Sequence, residues 1–216
     1  MNFNVPQLLI DIETLGSRDD AVIASFAATV FNFNEKDATY ADILDRTFYV
    51  KLDIKDQISR FKRTTDSGTI DWWKKQPREV REMSIIPSAD DVKVDEMLCM
   101  FRDFLEHNKF DYYNSYTWTR GIAYDIPKVE QLIKAVADAE TPNLFNNNFD
   151  GYIKNKDKYL LNNFRARDVR TFNDVVGDVN DGKFELPTGR PAEFIEHHAK
   201  HDAALDVMRM LYLFNN

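Results

Sequence analysis

The feature that most constrains this chain is the stretch LLIDIETLG, residues 8–16, an apolar run that carries Asp11 and Glu13 one residue apart. Such a run predicts a buried strand. Side chains alternate in direction along a strand, so positions 11 and 13 project from the same face. Two carboxylates held together in an apolar setting repel each other and lose their hydration unless something positive sits between them. A metal cation meets that need, and so do arginines in a salt bridge.

Composition narrows the setting. The 216 residues are 44% hydrophobic and 30% charged, a globular balance, and one core can serve a chain of this length. A single domain over residues 1–216 is expected. The start, MNFNVPQ, has neither the basic segment nor the apolar stretch of a secretory signal. No run approaches the ~20 apolar residues of a membrane helix. The single cysteine, Cys99, excludes an internal disulfide and suits a reducing compartment. A cytoplasmic protein, in the host cytoplasm if viral, with no membrane partner is therefore expected. The formal net charge of −8 argues against coating nucleic acid by charge alone. It still permits a nuclease, because cations held by carboxylates supply positive charge at the phosphate.

The first third reads as three strands, LLIDIET, AVIASFAATVFNF and RTFYVKLDI, with turn residues in GSRDDA, which suggests an antiparallel meander. Helical patterns follow over residues 67–83, with an interruption at Pro77, and in SADDVKVDEMLCMFRDFLEHN, whose apolar positions recur at helical spacing. DYYNSYTW reads as a strand and IPKVEQLIKAVADAE as a helix with Pro127 in its first turn. The Asn-rich segment 141–163 has no clear period. RARDVRTF suggests a short strand, DVVGDVNDGKFELPTG a loop, and HHAKHDAALDVMRMLYLF a helix. Strands first, then alternating helix and strand, make an α/β fold: a mixed sheet flanked by helices.

Two further places carry acids. In WTRGIAYDIPKVEQL, Asp125 lies at a strand-to-helix junction, where a side chain can project into a cleft or simply cap the helix. In HHAKHDAALD, histidines precede Asp202, a pairing suited to proton transfer near neutral pH. Asp-x-Glu on the first strand, a mid-chain aromatic-Asp, and His-x4-Asp on the last helix together resemble the DEDDh exonucleases of the ribonuclease H-like (DnaQ-like) superfamily. DIETLGSRDDAVIASFAATVF, TIDWW, WTRGIAYD and RDVRTFND look more narrowly like the phage exonuclease A (DexA) family.

The resemblance implies a five-stranded mixed sheet and a 3′→5′ exonuclease that releases nucleoside 5′-monophosphates from single-stranded 3′ ends of DNA, with an exoribonuclease of the same fold as the rival. It implies that Asp11, Glu13, Asp125 and Asp202 hold two divalent ions, Mg²⁺ or Mn²⁺, which fits oxygen ligands and hard cations. His197 is the implied general base, on a loop ahead of the last helix. On a regular helix, His198 would share a face with Asp202 and is the rival; His201 is a more distant one, and His107 is read as structural. Thr14 and Leu15 would touch the terminal nucleotide, Leu15 as an apolar wedge.

Residues 60–81 hold seven Lys or Arg against three acids. With Trp72 and Trp73 they suit a strand-binding surface, although adjacent tryptophans also pack in cores. Arg120, Arg165 and Arg167 are further candidate substrate contacts. Arg165, Arg167 and Arg170 surround Asp168, giving either a phosphate clamp or an internal ion pair. A silent nucleic-acid-binding module is the alternative from another class, an endonuclease a third, and a monomer or weak homodimer the expected assembly.

Overall fold

A computed structural model describes residues 3–138, 161–180 and 182–216. Its centre is a five-stranded sheet of order β3-β2-β1-β4-β5, formed by β1 (Gln7–Thr14), β2 (Ile23–Phe31), β3 (Phe48–Lys51), β4 (Thr117–Thr119) and β5 (Ala166–Asp168). β1, β2 and β3 pair antiparallel as a meander. β4 runs parallel to β1, and β5 parallel to β4. The acidic strand is therefore the middle of a mixed sheet, as expected.

The period-two rule assigns its faces. Leu8, Ile10 and Ile12 point into one core with Phe26 and Ala28. That core is closed by α5 (Val94–His107) and α6 (Asp125–Asp138). Leu9 points the other way with Ala27 and Phe31, under α1 (Tyr40–Arg46), α7 (Val169–Gly177) and α8 (Ala199–Asn215). Asp11 and Glu13 share the parity of Leu9 and so face α8. β2 is buried at every residue, which explains why its sequence alternates only in part: both faces are covered. Rings fill the α8 side. Phe33 lies 4.7 Å from Phe3, 5.2 Å from Phe31 and 5.8 Å from Trp118, centroid to centroid, within the range of favourable edge contacts.

The remaining elements bear out the interruption at Pro77 and correct the sequence reading in three places. The helical pattern 67–83 is two helices, α3 (Ser67–Lys74) and α4 (Arg78–Ser84), separated by Pro77, whose ring cannot continue a helix. The third strand stops at Lys51 because Asp53 caps a further helix, α2 (Ile54–Phe61), by accepting the Asp56 N–H at 3.0 Å. α1, also unforeseen, starts from a capping box between Thr39 and Asp42. Both are short, so their hydrophobic period spans too few turns to register, and only the cap chemistry marks them. The segment read as a loop from Asp174 begins inside α7. The Asn-rich stretch lies outside the described residues up to position 160, and its described end, Asn163–Arg165, is a single 3₁₀ turn.

α2 has a specific structural task. Gln57 is fully buried. Its side-chain amide accepts from the Ile23 N–H at 3.0 Å and donates to the Ile23 carbonyl at 2.7 Å, replacing the strand partner that β2 lacks there. Buried backbone groups left unpaired cost roughly 1–3 kcal/mol each. Gln57→Leu is therefore expected to lower stability by about 2–4 kcal/mol, read as a shift in the urea midpoint, with no change in the residues of the acidic cleft.

Candidate active site

Three elements bring the acids together. β1 carries a register shift between Glu13 and Thr14 against β2, an irregularity of the kind that bends a strand locally. Beyond the end of β4, Asp125 opens α6. The first turn of α8 carries Asp202. Carboxylate oxygens of Asp11, Glu13 and Asp202 all lie within 4.8 Å of one another. These three, with Ile12, Arg120, Arg170, Glu196 and His197 among others, line a cleft of about 720 Å³. Asp125 is buried and absent from that lining, yet near enough for its charge to act on Asp11 and Glu13.

The electrostatics are those of an uncompensated cluster. Burial, then the charges of Asp202, Glu13 and Asp125, hold the Asp11 carboxyl well above the usual range, and Glu13 is raised in the same way. Burial pushes Asp125 up to about 7 against the opposing pull of Lys128. Asp202 is also pushed up to about 7, by burial and by Asp206 one turn along the helix, despite a hydrogen bond from the His197 backbone. Convergent carboxylates with raised affinity for protons are the donor set that hard divalent cations satisfy. The residues fit such ions.

Sequence reasoning missed Asp206. It is buried, and the Arg120 guanidinium grips it at both oxygens, Nε to Oδ2 at 2.8 Å. Arg209 meets Asp206 at 3.2 Å and Glu185 at 3.2 Å, and Arg190 reaches Glu196 at 3.2 Å. Arg120 thus borders the cleft with its fork already engaged. The spacing of Asp202 and Asp206, four apart on one helix, was the available signal.

The histidines separate clearly. His197 precedes α8, has a left-handed backbone with φ of 62°, and lines the acidic cleft. His198 is buried at the helix cap, stacked on Tyr49 at 4.5 Å. Burial, with His201 adding to it, depresses its pKa to about 4. His201 is buried too, its Nδ1 bonded to the Tyr40 hydroxyl at 2.9 Å. The helical-face argument for His198 does not apply, because the helix starts at residue 199. His107 ends α5.

The remaining candidates divide between cleft and core. A second hollow of about 360 Å³, beside Glu13, is lined by Thr14, Thr69, Trp72, Trp73 and Tyr124. The Thr14 hydroxyl donates to the Gly16 carbonyl and meets the Tyr124 hydroxyl, each at 2.9 Å. Trp72 is 40% exposed. Trp73 is buried and donates its Nε1–H to the Thr14 carbonyl at 2.9 Å, which braces the strand end. Leu15 sits in a buried cluster with Val22, Ala24 and Trp73, so its side chain packs the core where a wedge against a base was expected. Arg165 and Arg167 lie over the Tyr116 ring at 5.3 and 4.4 Å and are absent from the lining of the cleft; Arg170 is the arginine of that group that reaches it. Asp168 caps α7 by accepting the Thr171 N–H at 2.8 Å. Within the basic segment, Arg63 is buried and donates to the Ala21 carbonyl at 2.9 Å, while Arg60, Lys74 and Arg78 pair with Asp95, Asp71 and Glu82. Its local positive charge is largely engaged internally.

Residues 6–214 match the family described as the 3′-5′ exoribonuclease Rv2179c-like domain. The chain belongs to this family. It is also 30% identical over 206 residues to an exodeoxyribonuclease of Enterobacteria phage T4, a match covering 94% of this chain and 87% of the relative. Among solved structures it is similar to the nuclease domain of 3′hExo, a DEDDh family member bound to rAMP, with a TM-score of 0.54 at 12% identity over 96% of this chain and 92% of the other. A full-length 3′-exonuclease gives a TM-score of 0.53 at 13% identity, covering 98% and 83%. At such identities the structures establish the shared ribonuclease H-like fold. Family and relative together make the protein a 3′→5′ exonuclease, a hydrolase of phosphodiester bonds. No helix among the described residues is long and apolar enough to cross a membrane.

Raised carboxyl pKa values set a pH dependence of stability. A carboxyl whose folded pKa exceeds its unfolded value near 3.8 contributes stability that is complete below that value and lost as pH rises to about 7. Asp202→Asn is therefore expected to stabilise chelator-treated protein by roughly 1–3 kcal/mol at pH 8. The gain should shrink below pH 7 and vanish near pH 4, as followed by urea midpoints. Saturating Mg²⁺ should abolish or reverse it.

Proposed function

We propose that the protein, as one exonuclease domain, hydrolyses single-stranded 3′ ends of DNA and releases nucleoside 5′-monophosphates. The convergence of Asp11, Glu13 and Asp202 within 4.8 Å on the cleft that also takes in His197 carries this reading. Asp11, Glu13, Asp125 and Asp202 would hold two divalent ions, Mg²⁺ or Mn²⁺. When bound, such cations acidify a water and offset charge on the phosphate and on the departing 3′ oxygen. The imidazole of His197 accepts the proton of the attacking water as its oxygen bonds to phosphorus. The neighbouring His198 is buried against the Tyr49 and His201 rings instead. Arg170, at the cleft and beside Asp125, is the guanidinium placed to meet a phosphate oxygen. Trp72 and Thr14 line the hollow next to Glu13, where an exposed ring can stack on a terminal base.

The preference for DNA is supported by the phage exodeoxyribonuclease, which aligns with nearly the whole chain. The family description favours RNA as the second reading. The choice depends on whether the site accepts or rejects a 2′-OH. Matched 5′-labelled DNA and RNA oligomers in competition should show faster shortening of the DNA from its 3′ end, and a faster loss of RNA would reverse the assignment. A silent binding module is disfavoured, because an unneutralised cluster of buried acids costs stability without a function to retain it.

Two substitutions test the roles. Asp11→Ala should abolish cleavage in Mg²⁺ while leaving a folded protein; full activity would overturn the metal assignment. His197→Ala should lower turnover by roughly 10²–10⁴-fold with strand binding largely intact. Loss in His198→Ala, together with normal turnover in His197→Ala, would transfer the base to the neighbouring ring.

A further inference from the structure

His197 occupies a position that its own backbone does not favour. A left-handed φ of 62° at a residue other than glycine is disfavoured by contact between Cβ and the following carbonyl, and persists where the surroundings over-determine it. Those surroundings are identifiable, and they come from the helical pair α3–α4, more than a hundred residues earlier in the chain. Ser84, the last residue of α4, is fully buried, and its Oγ–H donates to the His197 carbonyl at 2.8 Å. The Trp72 ring of α3 meets the His197 imidazole edge to face, with centroids 4.8 Å apart and planes at 80°. From β3, the Tyr49 hydroxyl donates to the Met83 carbonyl at 2.5 Å and Lys51 Nζ to the Glu82 carbonyl at 3.1 Å, which anchors the end of α4 that presents Ser84. The same Tyr49 ring stacks on His198 at 4.5 Å.

We propose that Ser84 is a positioning residue for the exonuclease reaction: its hydroxyl holds the His197 carbonyl so that the imidazole stays in the acidic cleft, with Trp72 as the side wall. A serine whose only task were to pack α4 would have no reason to act through the histidine. The His197 carbonyl is held by Ser84 and its imidazole by Trp72, so both the backbone and the ring of this residue are fixed. Loss of either lets the peptide relax from the left-handed region and swings the ring away from the attacking water. Small displacements of a catalytic group lower turnover more than binding. Ser84 lies outside the linings of both the cleft and the second hollow, so KM should be nearly unaffected.

This inference rests on His197 being the general base, and a double-mutant cycle separates the two claims. Single-turnover and steady-state rates are measured on a labelled single strand with Mg²⁺ for wild type, Ser84→Ala, His197→Ala and the double variant, with melting curves confirming the fold. Ser84→Ala should lower kcat about 10-fold, with KM within about 2-fold. In the His197→Ala background it should change kcat by less than about 2-fold. Ser84→Thr, which keeps the hydroxyl, should recover most of the rate. Wild-type kcat in Ser84→Ala, or an equal loss in both backgrounds, overturns the positioning role while leaving His197 as the base. An unimpaired His197→Ala overturns the base and the positioning role together. Should the alanine variant not fold, Ser84→Cys, of similar volume and weaker as a donor, runs through the same cycle with the same decisive outcomes.

Discussion

Repulsion among buried carboxylates is the constraint around which this molecule is arranged. Asp11 and Glu13 leave the central strand on one face, and Asp202 is delivered to within 4.8 Å of them by a helix nearly two hundred residues later. Burial raises the proton affinity of all four acids. In the absence of a cation that arrangement opposes folding, so the rest of the structure must hold it in place. The sheet does so through β2, buried along its whole length, and through two apolar cores that clamp the acidic strand from both faces.

Positive charge near the cluster is rationed. Arg120 and Arg209 line the cleft but are tied to Asp206, and the pull of Arg120 on Asp202 is outweighed by burial and by Asp206. Lys128 is buried, with Nζ donating to the Ser17 and Tyr124 carbonyls at 3.0 and 3.2 Å and lying 3.2 Å from the Tyr124 ring centroid. It moderates Asp125 from behind. A lysine or arginine inserted among the acids would have removed their affinity for divalent cations. Arg120 and Arg209, in the same cleft, are instead engaged by Asp206, which leaves the cluster available to cations.

The motifs that carry chemistry were readable because each is local. DIETLG, the aromatic-Asp before α6, and the histidines before Asp202 have spacings set by strand and helix geometry, and the apolar periods located the meander, α5, α6 and α8. What was not readable involves partners distant in the chain. Leu15 and Trp73 look like nucleotide contacts in one dimension, but they fill a buried cluster because the β1 end folds under α3. Arg165 and Arg167 flank Asp168 in sequence, yet the 3₁₀ turn and β5 that carry them set them over Tyr116, whereas Arg170, on the first turn of α7, borders the cleft. The short helices α1 and α2 were missed because two turns give too little periodicity to recognise.

Alternation along β1 was enough to place two acids on one face, and the order of acidic motifs was enough to indicate a divalent-cation nuclease. The first conclusion follows from the fixed geometry of a strand; the second came from the resemblance of the motif order to the DEDDh exonucleases. Which histidine enters the cleft, which arginine borders it, and which tryptophan is exposed were decided by the tertiary structure alone. The physical reason is that each depends on where a backbone carbonyl, a cap or a ring from a remote segment lies, and no spacing within a local stretch encodes that.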